Sequence, residues 1–81
     1  MAKYDPLARL LRAATTNSVR ASFAELDVLV GGLPRSARIH AVWWSNEVGG
    51  RHVQAHAWTI AGFKVDAVDM SREVVTFTRR P

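Results

Sequence analysis

Two histidines one helical turn apart, His52 and His56, are the first residues of this chain whose spacing suits chemistry. On a helix they would share a face, but a metal ion needs a third ligand beside them. Glu47 and Asp69 are the loose options, His40 lies on another segment, and the H-E-x-x-H pattern of a zinc helix is missing. Metal-assisted nuclease chemistry clusters its carboxylates, whereas Asp5, Glu25, Asp27, Glu47, Asp66, Asp69 and Glu73 are spread across the chain. Ser36 and Ser45 are the serines that a histidine might activate, and no nucleophile-elbow motif surrounds either. Gly31-Gly32 and Gly49-Gly50 read as turn glycines and not as a phosphate-cradling loop. With no cysteine, disulfides and thiolate zinc sites are excluded. The residues point away from an enzyme and imply no cofactor and no metal.

The charge points elsewhere. Eleven Lys and Arg face seven Asp and Glu, for a net charge of +4. Arginine dominates the cations, which favours planar, two-pronged contacts to phosphate or guanine. Double-stranded DNA is therefore the expected partner. The reading centres on Arg51 to Ala61, written as a helix with Gly49-Gly50 before it and Gly62 at its left-handed end. At 100° per residue Val53, Ala57, Ile60 and Ala61 form a core-facing stripe, and Trp58 falls at its border. The opposite arc carries Arg51, His52, Ala55, His56 and Thr59, small and basic enough to enter a major groove. Arg38, Asn46 and Gln54 would support base or phosphate contacts, and Arg72, Arg79 and Arg80 would follow the DNA backbone. Each has a plainer reading: Asn46 as a turn residue, Gln54 as a solvated helix residue. Segment 34–44, with Arg35 to His40 exposed, competes with 51–61 for the role of recognition helix.

These residues need a scaffold. Asp5-Pro6 starts a helix, Asp5 capping, with Leu7, Leu10, Leu11 and Ala14 on one face. Ser18 to Ala21 reads as a short strand. Ser22 and Glu25 form a capping box for a helix that buries Phe23, Leu26, Leu29 and Val30 and stops at Gly31-Gly32. In segment 33–44, Ala37, Ala41 and Trp44 would share a helical face. Trp43 and Trp44 cannot both face one core from one element. One is expected in the core and the other half-buried at an edge, or else lining a binding or dimer surface. Phe63 to Asp69 alternates as a strand, Met70-Ser71-Arg72 turns, and Glu73 to Thr78 returns. Val19, Val53, Trp58, Ile60, Val65 and Phe77 complete the expected core. The expectation is an α+β fold: one winged-helix-like domain over residues 1–81, with three or four helices and a three-stranded antiparallel sheet ending in a C-terminal β-hairpin. No stretch reaches membrane-spanning length and no signal sequence is evident, so a cytoplasmic protein is expected.

Several strings also occur together: KYDPL near the start, LPRSAR from Leu33, WWSN from Trp43, then H-x-Q-A-x-A-W-x-x-A-G-F from His52 and V-x-F-x-R from Val75. With them the chain resembles a family of small bacterial and phage domains of unknown function. The match falls on Leu33, Pro34, Ser36, Arg38, Trp43, Trp44, Asn46, His52, Gln54, Ala55, Trp58, Gly62 and Phe63. The resemblance implies a complete, independent domain and no particular activity. Two functional expectations stand. One is a DNA-binding protein, with a regulatory role and a homodimer as open options. The other is a protein-interaction module, of the phage or antitoxin-like adaptor kind, working through the Trp43-Trp44 surface.

Overall fold

A computed structural model describes residues 2–47 and 53–81. Helix α1 (Asp5–Ala13) leads into strand β1 (Ser18–Ser22), which passes directly into α2 (Phe23–Val30). A short α3 (Arg35–Ile39) and a 3₁₀ turn (Ala41–Trp44) follow. Helix α4 (Val53–Ile60) and the hairpin of β2 (Phe63–Asp69) and β3 (Val74–Arg79) complete the α+β domain. The sheet is antiparallel in the order β1-β3-β2.

Local chemistry accounts for the boundaries. At α2 the Ser22 hydroxyl accepts from the Glu25 N–H at 3.0 Å, and the Glu25 carboxylate accepts from the Ser22 N–H at 2.8 Å, so the capping box forms as expected. The helix closes on Gly31 at φ 75°, with the Gly32 N–H donating to Asp27 O at 2.7 Å. That six-to-one bond with a left-handed residue is a Schellman ending, which glycine makes without a Cβ penalty. At α1 the expected start shifts by one residue. Asp5 is itself helical, and its carboxylate accepts from the Ala2 N–H at 3.1 Å instead of capping. In the sheet, Val19 pairs with Phe77 and Ala21 with Val75. A bulge between Val65 and Ala67 inserts Asp66 into β2.

The core is an aromatic column. Phe23 stacks on Trp44 at 4.9 Å, Trp44 on Trp58 at 6.2 Å, and Trp58 leans on Phe77 at 5.6 Å. Leu7, Leu11, Leu26, Val30 and Val75 are buried around it, while Val19, Leu29 and Val65 pack against it half-buried. Trp44 is 2% exposed and Trp43 half-buried, packed edge-on to Trp44 at 4.6 Å. The pair thus divides as expected, with Trp44 in the core and Trp43 half-buried beside it. Other assignments also change. Leu10, Val53 and Ile60, expected in the core, are exposed, and Ala41 is exposed where Ala37 and Trp44 are buried.

Candidate interaction groove between α1 and α4

The rotation of α4 governs the functional surface. Its buried face is Gln54, Ala55, Ala57 and Trp58, centred on the tryptophan. Val53 and Ile60 are 66% and 55% exposed, and His56 stands between them in the open. At 3.6 residues per turn these three lie within about 60° of one another, so they form a single outward stripe. The face expected to point inward through Val53 and Ile60 therefore points outward. The physical reason is size and polarity together. Burying the indole of Trp58 removes more apolar surface than burying Val53 or Ile60, and two alanines beside it let α4 approach the core closely. Gln54 follows Trp58 inward because its amide has a partner there: Nε2 donates to Trp43 O at 2.9 Å.

The residues expected to touch nucleic acid are dispersed by this arrangement. Ala55 is fully buried and Gln54 nearly so, and neither belongs to an outer face. Asn46 links α4 to β2. Its Oδ1 accepts from Trp58 Nε1 at 3.0 Å and from the Val65 N–H at 2.7 Å, and its Nδ2 donates to Val65 O at 2.9 Å. This one side chain covers the free edge of β2 and satisfies a buried indole. Arg38 donates to Glu73 at 3.1 Å and lies 3.9 Å from Asp27. Arg79 sits 4.7 Å over the Phe63 ring and donates to Ala14 O, Thr16 O and Asn17 Oδ1, pinning the α1–β1 connection to β3. Arg72, on the hairpin turn, is exposed 3.9 Å from Asp69, whose carboxyl is held below the ordinary range, chiefly by the Arg72 N–H and then by the Ser71 hydroxyl. Thr59 and Arg80 meet Asn46 and Lys64 at a hollow of about 180 Å³. Arg51 and His52 lie outside the described residues.

The structure does bring His56, expected on the exposed arc, together with residues that the sequence reading did not name as functional. A groove of about 890 Å³ opens between α1 and α4, lined by Tyr4, Ala8, Arg9 and Arg12 on one side and Val53, His56, Ala57 and Ile60 on the other, with Ala2, Lys3 and Asp5 at its end. Ala8 and Ala57 are buried, and the exposed apolar bulk comes from Val53 and Ile60. Partial burial raises the pKa of the Tyr4 phenol. The signal in the sequence was available: a helical arc centred on Trp58 leaves Val53, His56 and Ile60 opposite it. Nothing in the sequence placed α1 beside them.

One comparison with known proteins gives a result. The family described as a domain of unknown function, DUF7662, matches residues 4–81. The chain belongs to this family. No curated protein and no solved structure matches it. Membership in the DUF7662 family covers both walls of the groove and the aromatic column in one unit. Among the described residues no helix is long and apolar enough to cross a membrane, and no cluster of three His, Cys, Asp or Glu is placed to hold a metal.

Proposed function

We propose that this domain is a protein-interaction module whose working surface is the groove between α1 and α4. The observation that carries the reading is the outward stripe Val53-His56-Ile60 facing Arg9 and Arg12 across that groove. A small domain has little apolar surface to spare from its core, so two large apolar side chains turned out beside a concavity mark a contact surface. The groove takes the place of the Trp43-Trp44 surface in the adaptor reading. Titration with the apolar anionic dye anilinonaphthalene sulfonate tests it. The dye is expected to brighten on the wild-type chain. Val53→Asp and Ile60→Asp should abolish the signal and leave folding intact, since both positions are exposed. Dye binding unchanged in both variants would overturn the reading.

DNA binding is the second reading. It is supported by the order of elements, a helix followed by a C-terminal hairpin whose β3 sits between β1 and β2, which suits a winged helix. The meeting of Thr59, Lys64 and Arg80 at one hollow, with Arg72 exposed on the hairpin, would supply phosphate contacts. Under this reading, log affinity for random duplex falls with log salt at a slope implying roughly three to six neutralised phosphates. Lys64→Ala with Arg80→Ala reduces that slope, and a flat salt response removes the reading.

A further inference from the structure

We infer that the groove seats a short acidic amphipathic helix of a partner protein. The inference rests on the reading of the groove as the working surface and names what fills it. Val53 and Ile60 are seven residues apart on α4, which spaces their side chains by about 10 Å, two helical turns. A helix laid beside α4 meets both with apolar residues at i, i+4 and i+7. Along the opposite wall Arg9 and Arg12 stand one turn apart on α1, and Lys3 extends the positive rim, its ammonium 3.4 Å from Val30 O. Asp5, the acid on this lining, already accepts from the Ala2 N–H. The lining carries three permanent cations, Lys3, Arg9 and Arg12, against one carboxylate, Asp5, and this excess of positive charge sets the sign of the occupant. Carboxylates one turn apart on the partner's flank pair with Arg9 and Arg12, and its apolar face covers Val53 and Ile60. A second copy of the chain fits less well. Its acidic helix, α2, exposes one large apolar side chain, Val28, and so lacks the second anchor.

The test uses the full chain and two fluorescently labelled helical peptides with the same leucines at i, i+4 and i+7. One carries glutamate and the other lysine on both flanks. The acidic peptide is expected to bind at least about tenfold more tightly than the basic one. That advantage should shrink as salt rises, because the rim is open to solvent. Arg9→Glu with Arg12→Glu should reverse the preference, and Ile60→Asp should abolish both, with circular dichroism confirming that each variant is folded. Equal affinity for the two peptides, or no binding of either, overturns the acidic-helix inference. If the dye still binds in an Ile60-dependent way, the groove reading survives that failure. A dimeric mass in solution that Ile60→Asp converts to a monomer also overturns the inference, because a second copy then fills the groove.

Discussion

Asn46 makes three hydrogen bonds through one amide, and two of its partners, the Trp58 indole and the Val65 backbone, belong to different layers of the fold. Asn46→Ala leaves the Trp58 N–H without an acceptor in a buried setting, a loss of about 2–3 kcal/mol. Asn46→Asp keeps both acceptor bonds but turns an ionised oxygen toward Val65 O, so it should be destabilised at neutral pH and recover as the carboxyl protonates and can donate there, whereas Asn46→Ala should not recover. Urea unfolding followed by tryptophan fluorescence distinguishes the two. If the variants match the wild type, the lock has no energetic role. Glu25 gives a second test at this scale. Its pKa is lowered, first by the Ser22 N–H and then by the Ser22 hydroxyl. A carboxylate with a depressed folded-state pKa contributes stability above its unfolded pKa and loses it as pH falls through the folded value. Glu25→Gln should therefore be destabilised at neutral pH, and the gap to wild type should close on acidification below the ordinary glutamate range. A gap that widens toward acid contradicts the assignment. Ser22→Ala should cost about 1 kcal/mol at neutral pH, as loss of an N-cap does.

At the scale of elements, α4 shows what sequence reasoning captures and where it fails. The hairpin was legible because Phe63 to Asp66 alternates apolar with polar before Ala67-Val68 breaks the pattern at the bulge, and β2 occupies the expected range 63–69. The capping box and the Gly31 and Gly62 endings were legible because each depends on residues within a few positions of one another. The facing of α4 was not. Two stripes compete on that helix, one through Val53 and Ile60 and one through Trp58, and periodicity alone does not rank them. The core contacts that decide between them come from Trp43, Trp44 and Phe77, outside the helix. For the same reason Asn46 and Gln54 read as candidate contact residues when their partners were invisible. Substitution along α4 tests the observed facing. Trp58→Ala should cost about 3–5 kcal/mol, a large share of the roughly 5–15 kcal/mol that holds a domain together. Ile60→Ala should change stability by less than about 0.5 kcal/mol, as a surface position does. Thermal unfolding with the opposite ranking would restore the facing centred on Ile60.

Across the whole molecule, the cations divide between structure and surface. Arg38 and Arg79 make contacts that tie segments of the fold together, and Arg9, Arg12, Arg72, Arg80 and Lys64 are exposed at the two candidate surfaces. These five lie in two regions, the α1–α4 groove and the hairpin with the tail, and the two readings of function divide between them. Backbone-amide chemical-shift mapping on isotopically labelled protein tests the account's central claim most directly. Titrated in parallel with the acidic amphipathic peptide and with random duplex DNA, the chain is expected to shift at Ala8, Arg12, Val53, His56, Ala57 and Ile60 with the peptide. Those amides should stay in place with DNA. Shifts confined to Lys64, Arg72 and Arg80, produced by DNA and not by the peptide, would contradict it.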